Sequence, residues 1–128
     1  MKITQLSVFL ENKSGRLNEI TRILSTAGIN LEAFCLAEAS DFGILRMVVS
    51  DVELAMETFR KHHIAARTTQ VVCLECANHP GQMGKILDLL AEHGVFIEYM
   101  YAFSQGDKAN VVIRPTDVDE CCRVLETI

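Results

Sequence analysis

What this sequence lacks narrows the field before any motif is considered. It has no basic stripe: lysine and arginine are outnumbered by aspartate and glutamate, and the formal net charge is −5. A nucleic-acid binder normally shows such a stripe, so no nucleic-acid partner is expected. The start, Met1-Lys2-Ile3-Thr4-Gln5, lacks the basic start and apolar block of a secretory signal. No apolar run approaches the length needed to span a bilayer. The expectation is a cytoplasmic protein with no membrane partner. The cysteines are odd in number (Cys35, Cys73, Cys76, Cys121, Cys122), which in a leaderless chain points to free, mostly buried thiols. No nucleophile, base and orienter form a set of the kind catalysis needs. Neither an enzyme nor a bound cofactor is expected.

What is present is a stretch written twice. Leu10-Glu11-Asn12-Lys13-Ser14-Gly15-Arg16-Leu17 has its second copy in Cys76-Ala77-Asn78-His79-Pro80-Gly81-Gln82-Met83, 66 positions on (Gly15 and Gly81). Both read Asn-x-x-Gly-x-apolar, and both open an amphipathic helix after an apolar run. A strand that ends at a polar turn and feeds a helix leaves unpaired backbone N–H groups aimed at one spot, where small anionic groups bind well. Good turn and cap chemistry explains Asn and Gly at such places without any ligand. The repetition favours the ligand reading.

In chain order, Ile3 to Leu10 reads as a strand, Leu6, Val8 and Leu10 alternating with Gln5, Ser7 and Phe9. Leu17, Ile20, Ile23, Leu24 and Ala27 line one helix face, and Gly28 stands at its C-terminal cap. Strands are expected over Ile29–Ala39 and Ile44–Val49, with a turn at 40–43 between them. Ser50 and Glu53 form a capping-box pattern for a helix ending near His62-His63. Ile64–Thr69 reads as a weak strand. The pattern then restarts: strand Val71–Cys76, a helix through Met83, Ile86, Leu87, Leu90 and His93 with Gly94 as cap, strand Val95–Phe103, a turn at Gln105–Lys108, strand Val111–Ile113, and a last helix from Thr116 through Leu125.

The same offset pairs Ile20 with Ile86, Leu24 with Leu90, Gly28 with Gly94 and Asp51 with Asp117. Matches at caps, turns and core faces mark two copies of one βαββαβ unit. The right-handed crossover rule makes each a ferredoxin-like α+β sandwich, residues 1–69 and 70–128. The second copy stops at Ile128, short of its last strand. Val71–Cys76 would then face an open edge, which invites association. One long strand from Ile64 to Cys76 serving both units is a second possibility. Units this small are marginal alone, so their sheets are expected to pack edge to edge.

On these residues the chain resembles the tandem ACT-domain family of amino-acid-binding regulatory modules, in particular stand-alone bacterial proteins with no fused catalytic domain. The carriers are Asn12 to Leu17 and Asn78 to Met83, each followed by an apolar helix, and the strand entry Gly28-Ile29-Asn30-Leu31. The resemblance covers essentially the whole chain. It implies a ligand held where the first loop of one unit meets the second strand of a neighbouring unit. Carried onto this sequence, it points to Asn12, Gly15 and Asn30 in one copy and to Asn78 and Gly81 in the other. The expected protein is a homodimer that reports ligand level to a metabolic enzyme or through its own assembly state. Ser14 departs from the family's proline, which Pro80 keeps. Phe96 replaces the residue matching Asn30, so the two sites are expected to be unequal. An amino acid's carboxylate would suit the amides of Gly15-Arg16-Leu17 or Gly81-Gln82-Met83.

Two other readings compete. Cys73 and Cys76, with His79, could supply soft metal ligands. Residues three apart in a strand point to opposite faces, however, and no second cluster completes a set. The other is a regulatory subunit acting mainly through protein contacts. Tyr99-Met100-Tyr101-Ala102-Phe103 reads as core or sheet packing rather than a base-stacking strand.

Overall fold

The computed structural model describes residues 1–11, 13–38 and 41–128. Among the described residues, six strands and four helices follow one another in the order expected of a doubled βαββα pattern: β1 Lys2–Glu11, α1 Arg16–Thr26, β2 Leu31–Glu38, β3 Phe42–Val49, α2 Val52–Lys61, β4 Ala66–Ala77, α3 Gln82–Glu92, β5 Ile97–Gln105, β6 Lys108–Pro115 and α4 Val118–Leu125. The chain divides into two compact units, one of Thr4–Thr69 and one of Gln70–Ile128 together with Met1–Ile3. Each is an α+β sheet-and-helix unit of the same type.

In the Thr4–Thr69 unit, β3 lies between β2 and β1 and pairs antiparallel with both. Leu6 faces Met47, Val8 faces Leu45 and Leu10 faces Gly43 across the β1–β3 ladder. The period-2 alternation sends Leu6, Val8, Leu10, Leu45, Met47 and Val49 inward. Ile20, Ile23 and Leu24 of α1 and Ala55 and Phe59 of α2 cover them. Gln5 and Ser7, on the other face of β1, are buried as well, and Gln5 Nε2 donates to Ser7 Oγ at 3.4 Å.

The second unit repeats this plan. β6 lies between β4 and β5, antiparallel to both. Its core is Val72, Val111 and Ile113 from the sheet, with Ile86 and Leu90 of α3 and Cys121, Val124 and Leu125 of α4. The start of the chain completes it: Cys73 N donates to the Met1 carbonyl at 2.8 Å, and the Met1 ammonium donates to the Cys73 carbonyl at 3.2 Å. That two-way exchange is an antiparallel hydrogen-bonded pair, and Lys2 Nζ adds a bond to Asp119 at 2.6 Å.

The duplication is visible in backbone detail. Gly15 and Gly81 both precede their helices in the left-handed region, at φ 87° and 89°. Asp51 and Asp117 both cap, accepting from Leu54 N and Glu120 N at 3.0 Å each. Register shifts fall between Leu31 and Ala33 in β2 and between Ile97 and Tyr99 in β5, again 66 positions apart. Ser50 N donates to the Asn30 carbonyl, and Thr116 N to the Phe96 carbonyl, at 3.0 Å each.

Of the two readings of residues 64–76, the single long strand is the one observed: β4 runs unbroken from Ala66 to Ala77. Two other expectations change. Ser50 is not the cap of α2: Asp51 takes that position, while Ser50 Oγ accepts from Asn30 N at 2.9 Å. β3 begins at Phe42 rather than Ile44, since Phe42 already pairs with Glu11. The turn expected at 40–43 falls partly on Ser40, outside the described residues.

Candidate functional site

The corner where β1 ends and α1 begins is shaped by charge and by one glycine. The Lys13 amide turns back to the Glu11 carbonyl at 2.8 Å, and Arg16 N reaches the Lys13 carbonyl at 3.3 Å. Gly15 then takes φ 87°, and a Cβ there would meet nothing within 4 Å. The position demands glycine for its backbone torsion, not for space. No side chain caps α1, so its first-turn amides, Leu17 among them, lie where helix geometry offers no partner.

Four charged side chains are linked at the corner. Lys13 Nζ lies 3.0 Å from Glu11 and Arg16 3.5 Å from it, while Arg16 also binds Glu19 at 2.9 Å. The bond from Lys13, followed by the charges of Lys13 and Arg16, holds the Glu11 carboxyl below the usual carboxylate range. The bond Arg16 donates to Glu19, and the Glu19 charge, raise the Arg16 guanidinium further.

Beside these charges lies a cavity of about 360 Å³, within the range of small-molecule pockets. Leu10, Leu17, Leu36 and Phe42 give it apolar walls, and Glu11, Lys13 and Arg16 stand at its rim. The β1–β3 and β2–β3 registers bring these together: Glu11 lies opposite Phe42, Leu10 opposite Gly43, and Leu36 opposite Leu45.

The expected site residues do not all converge here. Asn12 lies outside the described residues. Ser14 and Gly15 are exposed in the turn, and Arg16 and Leu17 line the cavity. Asn30 sits past the far end of α1, where it lines a separate groove of about 400 Å³ with Thr21, Ser25 and Gly28. Eleven helical residues separate the two places, about 16 Å of rise.

The second copy is more closed at its corner. Asn78 N donates to the Asp107 carbonyl at 2.8 Å, and Asn78 Nδ2 to the Gly106 carbonyl at 3.2 Å. The backbone N–H and one side-chain N–H of Asn78 are thus spent on the β5–β6 turn. Pro80 and Gly81 are exposed, and His79 Nδ1 lies 3.2 Å from the Pro80 carbonyl. Gln82 and Met83 open α3; Gln82 lines a groove along that helix, and Met83 packs on the core. Phe96, in the place of Asn30, is 67% exposed.

Glu11, Lys13, Leu36, Phe42 and Gly43 escaped the sequence reading as site residues. The signal was indirect: an antiparallel β1–β3 ladder must set the start of β3 beside the end of β1, but the register could not be fixed from sequence. The metal reading gains no support. Cys73 and Cys76 stand on β4, burial pushes the Cys73 thiol up, and no group of three or more His, Cys, Asp or Glu among the described residues is placed to hold a metal ion. Among the described residues no helix is long and apolar enough to cross a membrane.

Comparison with known proteins bears directly on this architecture. Residues 1–127 match the family of paired ACT domains. The chain belongs to the ACT domain pair family. ACT domains generally bind amino acids in regulatory roles. Among solved structures, protein BT0572 from Bacteroides thetaiotaomicron is 51% identical over 99% of this chain and 88% of its own, with a TM-score of 0.96. The ligand-free regulatory subunit of aspartate kinase from Thermus thermophilus shares the fold at 12% identity and a TM-score of 0.71, covering 99% of this chain and 94% of its own. The corresponding subunit from Thermus flavus does so at 14% and 0.68, with the same coverage. No curated protein sequence matches. Both aspartate kinase structures are of regulatory subunits.

Proposed function

We propose that this ACT domain pair is a non-catalytic sensor of a free amino acid, and that its ligand sits at the corner between β1 and α1 of the Thr4–Thr69 unit. The observation that carries this reading is the cavity of about 360 Å³ with apolar walls and a charged rim at that corner. A zwitterion finds opposite charges there in Lys13, Arg16 and Glu11, and charge-assisted contacts of this kind contribute roughly 1.5–3 kcal/mol each.

Asn30 enters from a second copy of the chain, because within one unit it lies beyond the opposite end of α1. The working form is therefore a homodimer, and the ligand favours the paired arrangement by its differential affinity for it. The second corner, around Asn78, Pro80 and Gly81, serves structure in this reading, since its asparagine is bonded to the adjacent turn. A metabolic enzyme is the natural reader of such a sensor.

Calorimetry of the full chain against the common amino acids, with sedimentation in parallel, tests the proposal. Heat with at least one amino acid and a ligand-dependent shift toward dimer are expected. Arg16→Ala weakens binding about tenfold through loss of one charged contact. No heat with any amino acid at millimolar concentration overturns the reading.

A further inference from the structure

The rim and the walls of the cavity differ in chemistry, and the difference bears on which amino acids fit. The lining charge is carried by Glu11, Lys13 and Arg16. The walls come from Leu10, Leu17, Leu36 and Phe42, with no ionisable side chain among them. Leu36 and Phe42 are left 49% and 55% exposed at strand ends. Apolar groups of that size grouped at a cavity mark a surface that something covers. The rim carries both signs of charge, Lys13 and Arg16 paired with Glu11, and a small zwitterion brings the two opposite charges that can exchange into those exposed pairs.

We propose that the cavity selects free α-amino acids with an uncharged, branched aliphatic or thioether side chain, its head at Glu11, Lys13 and Arg16 and its side chain against Leu36 and Phe42. This rests on the amino-acid-sensing reading above. A charged side chain entering the walls would lose water and find no counter-charge. Glycine and alanine would leave most of the apolar wall uncovered, forgoing the burial that drives the contact. Gly43 is the gauge of width. It stands at the wall with an ordinary backbone, and a Cβ there would lie 3.4 Å from Leu36 Cδ1 and from the Ala37 carbonyl.

The test is calorimetry of the full chain with leucine, isoleucine, valine and methionine against glycine, aspartate and lysine. The first group should bind about tenfold tighter or better. Phe42→Ser and Gly43→Ala should each weaken leucine binding about tenfold, the first by removing a wall and the second by narrowing the space. Phe42 is half exposed, so circular dichroism and the melting temperature should change little. If Phe42→Ser does melt early, Leu36→Ser takes its place. Aspartate or lysine binding tightest overturns this inference and leaves amino-acid sensing standing. So does leucine binding that is indifferent to these variants. Absence of binding by every amino acid removes the sensing reading itself.

Discussion

His63 is the described non-glycine residue that carries a positive φ, at 56°. It ends α2 as Gly28 and Gly94 end α1 and α3. Ile64 N reaches back to the Phe59 carbonyl at 2.9 Å and His63 N to the Arg60 carbonyl at 3.1 Å, the two bonds of a left-handed helix stop. A side chain in that conformation costs roughly 1–2 kcal/mol. His63→Gly should therefore raise stability by about 1 kcal/mol, read as a higher urea midpoint. Cys121 offers a second single-residue test. Burial, then the neighbouring Cys122, pushes its thiol from the ordinary 9.0 up to about 11. Below pH 9.0 both folded and unfolded chains keep it protonated. Between there and about pH 11 the unfolded chain ionises and the folded one does not, so stability falls as pH rises through that window. Cys121→Ala should flatten this alkaline decline, and in the native protein Cys121 should be the last thiol alkylated.

Helix entry and exit differ in how openly the sequence announces them. The glycine stops at Gly28 and Gly94 could be placed because a left-handed residue has few candidates; His63, a non-glycine in the same conformation, carried no such signal. The cap of α2 could not be placed either. Ser50, Asp51 and Glu53 offer two overlapping patterns, and the choice turns on a long-range bond from Asn30 N to Ser50 Oγ. The capping prediction follows from the observed geometry: Asp51→Ala and Asp117→Ala should each cost about 0.5–2 kcal/mol, whereas Ser50→Ala acts through β2 instead. Equilibrium unfolding of the three variants separates these. Gly15→Ala and Gly81→Ala meet open space, so any loss they cause comes from backbone torsion alone.

At the scale of the whole molecule, the doubling was the most legible feature, because a fixed offset repeats residues of several kinds at once. Of the residues that line the cavity, Arg16 and Leu17 could be singled out from the sequence because they lie in the repeated turn. The rest of the cavity wall could not be. Leu36 and Phe42 are ordinary strand residues whose importance comes from register, and register is a property of paired strands that one strand's pattern does not state. Each unit has a core of its own, so deep truncations should act in both. Phe59→Ala, at a fully buried position, should remove about 3–5 kcal/mol. Urea unfolding followed by circular dichroism would measure it.

The placement of Asn30 beyond the far end of α1 has a consequence for how such a sensor is assayed. Under the proposed function, a ligand that needs both ends of that helix needs two chains, and its apparent affinity would fall when the protein is diluted. Titrations run at nanomolar and at micromolar protein would then disagree, and the size of the disagreement would report the strength of the pairing.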